Sequence, residues 1–141
     1  MMDILRREIK KQVEYCINFD GYKAGIFVSD TSKTDKIKEI LEKENEANPQ
    51  LQIIKYRFTK REMFVEFSNG SYIKIFRASE NCRGCKFNGC IIDTNIKQEI
   101  RNCIIRPSII PRLIKIDDSC IEFEDWSEVD KRIVEVEIIG E

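Results

Sequence analysis

Residues 67–95 read FSNGSYIKIFRASENCRGCKFNGCIIDTN, and their interpretation decides the fold. Near the start, Asn69-Gly70 lies between two runs that alternate apolar and polar residues. That pair is a strong hairpin signal, because a type I′ turn needs φ > 0 at both central residues. At the end, Cys90-Ile91-Ile92 is a short, wholly apolar run that stops at Asp93. Such a run predicts a strand buried on both faces, as in the parallel centre of an α/β sheet. Between the two lie Arg83-Gly84 and the cysteines Cys82, Cys85 and Cys90.

Upstream, Leu5, Ile9, Val13 and Cys16 recur at helical spacing over residues 4–17, with Lys10, Lys11 and Glu14 facing away. Residues 24–28 form a second short apolar run and predict a buried strand. The cluster Ser29–Asp35 is rich in helix-capping residues and precedes a helix with Ile37, Ile40 and Leu41 inward, ending before Asn48-Pro49. Residues 52–58 alternate, with Ile54, Tyr56 and Phe58 on one face and Lys55 and Arg57 on the other. With residues 62–67 and 71–76 they predict an antiparallel meander.

Downstream, Thr94 or Asn95 caps an expected helix with Ile96, Ile100, Cys103 and Ile104 inward, stopping at Arg106-Pro107. Residues 112–116 and 120–123 predict a hairpin around Asp117-Asp118-Ser119. Residues 131–139 alternate again, with Val134, Val136 and Ile138 on one face. Strand, capped helix and strand in succession define α/β. The expected fold is therefore one domain over residues 1–141. It holds a mixed sheet with a parallel centre (the 24–28 and 90–92 strands as neighbours), plus β-hairpins and flanking helices.

Composition narrows the chemistry. The 141 residues include 24 basic and 25 acidic side chains and no histidine, for a net charge of −1. Histidine-based acid–base chemistry, histidine metal ligands and Ser-His or Cys-His nucleophile pairs are excluded. No global charge drives the chain to nucleic acid or anionic lipid. No apolar run reaches the roughly 18 residues of a membrane helix, and the charged N-terminus has no signal-peptide core, so a cytoplasmic location is expected.

Residues 24–105 resemble the ATPase core of the large terminase subunit of tailed phages. The resemblance rests on Val65-Glu-Phe-Ser-Asn-Gly-Ser-Tyr-Ile73, then Arg83-Gly84, then Cys90-Ile-Ile-Asp93, in the family's order and spacing. It implies a P-loop-like core, degenerate here. No G-x-x-x-x-G-K-[ST] phosphate loop fits the roughly 23 residues before the first strand. Thr94 stands where the family has its catalytic Glu, and only about 35 residues remain where a nuclease domain follows in the family. The resemblance implies that Asp93 binds Mg²⁺ beside a nucleotide and that Arg83 touches a phosphate. The plainer reading makes Arg83 a surface residue and Asp93 a junction carboxylate at a helix N-terminus. We prefer the latter, because a lone carboxylate with no phosphate to share the ion is a poor Mg²⁺ site.

Cys82, Cys85, Cys90 and Cys103 follow C-x2-C-x4-C-x12-C, whose first pair has zinc-knuckle spacing. Against zinc, Cys90 and Cys103 are expected on buried faces. Lys55, Arg57, Lys60 and Arg61 make a small basic cluster that suits an anionic partner or a solvated strand face. The leading expectation is a non-enzymatic phage accessory protein that binds a protein or nucleotide-like partner and needs no cofactor. Two alternatives are kept: an ATPase fragment completed in trans around Mg-nucleotide, and a zinc-stabilised nucleic-acid-binding module. A homodimer is also expected, because the 131–139 strand needs a partner layer. The competing arrangement folds that strand back beside residues 112–116 or 120–123.

Overall fold

The computed structural model describes residues 3–47, 53–59, 63–78 and 85–139, with the backbone alone for Ile54 and Tyr56. Helix α1 (Ile4–Asn18) buries Leu5, Ile9, Val13 and Cys16. Its N-cap is Asp3, whose Oδ1 accepts the Arg6 N–H at 2.8 Å. Strand β1 (Lys23–Val28) follows. A 3₁₀ turn (Thr31–Lys33), capped by Asp30, then leads into α2 (Thr34–Ala47). Strands β2 (Ile53–Phe58), β3 (Met63–Phe67) and β4 (Tyr72–Arg77) form the expected meander.

Strand β5 (Gly89–Asp93) is buried at every residue. The chain then turns helically through α3 (Gln98–Ile100), a π turn (Arg101–Ile105) and a 3₁₀ turn (Arg106–Ser108). Hairpin β6 (Leu113–Asp117) and β7 (Cys120–Phe123), short helix α4 (Trp126–Asp130) and β8 (Ile133–Val136) complete the order.

The main sheet runs β2-β3-β4-β1-β5-β8. Its β4, β1, β5 and β8 are mutually parallel, with β1 and β5 paired from Ala24↔Gly89 to Phe27↔Ile92. The expected α/β class with a parallel centre is what the chain adopts. Alternation divides the core between the two faces. Ala24, Ile26, Val28, Ile73 and Ile91 meet α1 and α2 on one. Phe27, Cys90 and Ile92 meet Ile104, Ile105, Ile109 and Val129 on the other. Helix α2, after β1, and the helical segment after β5 thus lie on opposite faces. The crevice between the carboxyl ends of β1 and β5 is a topological switch point, where open α/β sheets bind ligands.

Several local expectations are corrected. The Asn69-Gly70 hairpin is present, but only Gly70 has positive φ, at 85°. Gly70 N–H donates to Phe67 O at 3.1 Å and Phe67 N–H to Ser71 O at 2.8 Å. That is a three-residue loop with a glycine bulge, not a type I′ turn. Asn69 is occupied otherwise: its Nδ2 donates to Cys16 O at 2.7 Å, closing the C-terminus of α1, and its Oδ1 accepts from Ser71 N–H. The helical segment after β5 starts at Gln98 with Lys97 as N-cap, and no side chain caps it, neither Thr94 nor Asn95. Its π turn rotates the buried face on to Ile104 and Ile105, leaving Cys103 exposed, and Pro107 lies inside the last turn.

Strand β8 pairs in parallel with β5 and not with residues 112–116 or 120–123. Val136 and Ile138 are buried in the first core, so no second copy is needed to cover them.

Candidate functional site

Asp93 ends β5 at the switch point and is fully buried. Its Oδ2 accepts from Ser29 N–H at 3.0 Å, Ser29 Oγ at 2.7 Å and Lys33 Nζ at 2.8 Å. Its Oδ1 accepts from the N–H groups of Asn95 at 3.1 Å and Ile138 at 3.3 Å. Lys33 Nζ also donates to Ser29 Oγ at 2.8 Å. Burial works against ionisation of Asp93. The Lys33 ammonium, the Ser29 hydroxyl and the N–H groups of Asn95 and Ser29 outweigh it and hold the carboxyl at about 2, below its ordinary 3.8.

These five donors occupy a group with roughly four lone-pair positions. A Mg²⁺ ion at Asp93 would have to displace Lys33 and strand its ammonium, so the residues present do not fit a magnesium-bound nucleotide. The cluster instead ties together the corner after β1, the corner after β5 and the chain beyond β8. Thr94 is exposed, with its N–H on Val136 O at 3.0 Å. Arg83 lies outside the described residues.

Sequence reading missed Ser29 and Lys33. The local signal is a strand, a polar loop rich in capping residues, then Lys33-Thr34 at a helix start.

Lys55 and Arg57 are brought together with residues that the sequence did not associate with them. Cross-strand pairing sets Arg57 opposite Phe64 and Phe64 opposite Lys74. It also sets Lys55 opposite Glu66 and Glu66 opposite Tyr72. These side chains share the sheet face opposite α1 and α2 and line a shallow groove that reaches Phe76. Lys55 Nζ stands 5.4 Å from the Phe64 ring centre, and Lys74 Nζ 4.7 Å from that of Tyr72. Phe76 stacks on Phe27 at 5.5 Å and meets Phe87 edge-on at 5.6 Å, closing the groove against the second core. Lys60 and Arg61 lie outside the described residues.

Among the described residues, Cys85, Cys90 and Cys103 do not form one group. Cys90 sits in the second core, where burial pushes its thiol up to about 12. Cys85 packs against that core from its edge, and Cys103 is exposed. Cys82 lies outside the described residues. Among the described residues no three His, Cys, Asp or Glu side chains are grouped to hold a metal. None of the helices they form is long and apolar enough to cross a membrane.

The expected β6–β7 hairpin is present, and its apolar side chains are unexpectedly exposed. Leu113 and Phe123 form a cross-strand pair and are 63% and 66% exposed. Ile121 is 68% exposed, Ile116 55% and the neighbouring Trp126 55%. A groove lined by Ile110, Pro111, Ile114, Phe123 and Trp126 runs along the hairpin base. That base is firmly held. Glu124, next to β7, is buried and takes a forked pair of hydrogen bonds from buried Arg132. It also accepts the Arg112 N–H at 2.8 Å, and the Arg112 guanidinium lies 3.9 Å from the Phe19 ring centre.

The chain matches no family model, no curated protein and no solved structure.

Proposed function

We propose that this chain is a non-enzymatic accessory protein that acts by binding another protein, with the β6–β7 hairpin as its contact surface. The observation that carries the reading is the exposure of Leu113, Ile121 and Phe123, paired across one face of the hairpin, and of Ile116 and Trp126 beside them in sequence, each more than half exposed, on an arm whose root is fixed by Glu124. Contiguous exposed apolar surface marks interaction sites, and aromatic anchors on a preorganised support supply most of the energy of an interface. The acidic Glu122 and Asp125 line the same groove, which favours a partner whose apolar patch is rimmed by basic residues. Both oxygens of Asp93 are already engaged by donors at the switch point, and the sequence holds no histidine.

The scaffold reading that accompanies this proposal is a trimmed terminase-like ATPase core, of the kind a phage would reuse for an accessory role. The parallel pairing of β1 and β5 at the sheet centre is compatible with it. The fitted-out Asp93 argues against the version completed in trans by another polypeptide's phosphate loop. A second copy of the chain is the simplest partner for the hairpin, through two-fold pairing.

The test compares the wild-type chain with a Leu113→Ser/Phe123→Ser variant. Both are measured for self-association by light scattering and for binding to captured host proteins re-purified individually. The expected result is a complex, with self or with one such protein, that the variant weakens about thirtyfold or more. A complex that the variant binds unchanged overturns the hairpin as contact surface. A chain that stays monomeric and retains none of the re-purified proteins overturns the proposal.

A further inference from the structure

We propose that the open face of β2, β3 and β4 binds single-stranded nucleic acid, with Phe64 and Tyr72 stacking bases and Lys55, Arg57 and Lys74 meeting phosphates. This surface is separate from the β6–β7 hairpin, and the inference does not rest on that reading. Three observations converge on it.

The first is the alternation of ring and cation across the strands. One row runs Arg57, Phe64, Lys74; the next runs Lys55, Glu66, Tyr72. Every nucleobase has a π-face, so aromatic side chains on a sheet give a stacking platform that tolerates any sequence, while flanking cations follow the backbone.

The second is spacing. Phe64 lies opposite Lys74, so Tyr72, two residues along β4, is its diagonal neighbour. Diagonal neighbours in a sheet are about 7–8 Å apart. That is about twice the 3.4 Å rise per nucleotide of one strand in a duplex. The two rings suit bases splayed from a single strand, not bases stacked in a helix. A broad sheet face also does not enter a duplex groove as a lone ribbon or helix does.

The third is where the two lysine ammonium groups stand. The ammonium groups of Lys55 and Lys74 lie over Phe64 and Tyr72, at 5.4 and 4.7 Å. Cations held over ring faces are stored where an incoming base would stack. A base takes the ring, and the released ammonium turns to the phosphate beside it. Glu66 is the acidic residue lining the groove, so the local balance favours a polyanion although the whole chain carries −1. An acidic peptide would use the same cations but leave the rings without stacking partners.

The probe is a fluorescent oligothymidylate of about a dozen nucleotides, within the roughly 4–16 that single-strand sites occupy. Binding is read by anisotropy against salt. Three phosphate contacts at a slope of about −0.7 each give log K falling with log salt at about −2, or about twentyfold between 50 and 200 mM. Lys55→Gln/Lys74→Gln, at exposed positions, should bring that slope near −0.7. Phe64→Leu/Tyr72→Leu keeps every charge and should weaken binding fivefold or more at fixed salt, with little change of slope. Leu113→Ser/Phe123→Ser should bind as the wild type does. The proposal is overturned if no binding is seen at tens of micromolar in low salt. Equal affinity for duplex of the same length also overturns it. So does unchanged binding by the aromatic variant with its fold intact by circular dichroism, which would reduce the face to nonspecific charge.

Discussion

Asp93 shows how a residue's place in the chain can be legible while the groups that stabilise it are not. Its place at the end of an apolar strand is plain in the sequence, but the helix whose N-terminus is expected to stabilise it begins only at Gln98 and does not reach it. The donors that hold it come from Ser29 and Lys33, 60 and more residues away, and from the backbone of Ile138. No local pattern announces such a set. Asn69 is similar. Its turn was legible; its bond to Cys16 O depends on how α1 packs on the sheet. The Asp93 cluster has a definite pH signature. The folded carboxyl sits at about 2 and the ordinary value is 3.8. A depressed carboxyl stabilises fully above its unfolded pKa, and that contribution is lost as pH falls from about 4 towards 2. Asp93→Asn removes this acid-sensitive term and leaves Lys33, whose side chain is 12% exposed, without its counter-charge. We expect a loss of about 3–5 kcal/mol at neutral pH by urea unfolding, and a shallower decline between pH 4 and 2. A variant with the wild-type midpoint and acid slope would show that the cluster contributes nothing to stability.

At the scale of elements, strands and helices followed from periodicity, and the errors came where the chain leaves regular geometry. The π turn over Arg101–Ile105 adds residues to a turn, so helical spacing from Ile96 no longer identifies the buried face. Cys103 is exposed for that reason, contrary to its expected place on the buried face. Strand β8 was recognised as a strand, but alternation alone does not choose between a neighbouring chain and β5. The sheet resolves it: Val136 and Ile138 belong to the core, whereas Leu113 and Ile121 of the hairpin do not. The two elements should therefore respond oppositely to change. Val136→Ala/Ile138→Ala should cost about 3 kcal/mol or more, since burying each side chain is worth about 1.5–3 kcal/mol and cavities add to that. Leu113→Ser/Ile121→Ser should stay within about 0.5 kcal/mol of wild type, as surface substitutions do. Chemical denaturation measures both. A hairpin pair as costly as the β8 pair would mean that its apolar face is packed in solution.

At the scale of the whole molecule, one sheet separates two apolar layers, and its central strands serve both. Strand β1 sends Ile26 and Val28 to the α1–α2 side and Phe27 to the other; β5 sends Ile91 one way and Cys90 and Ile92 the other. Neither layer can dissolve without exposing one side of β1 and β5, so the two should melt together, although fewer helical residues cover the second layer. Ile92→Ala enlarges a cavity in that second layer alone and should cost about 2–5 kcal/mol. Tyr15 and Tyr22 pack by the first layer, and Phe27, Phe76 and Phe87 form a cluster in the second. In a Tyr72→Phe/Trp126→Phe background, which removes the tyrosine packed on the second layer and the tryptophan, near-ultraviolet circular dichroism follows the remaining tyrosines and far-ultraviolet the whole backbone. If the sheet couples the layers, both signals of Ile92→Ala shift to a lower midpoint and still coincide in one transition. Should the far-ultraviolet signal break into two steps, with the tyrosine signal retained through the first, the α1–α2 layer would stand alone and the sheet would not be the cooperative unit.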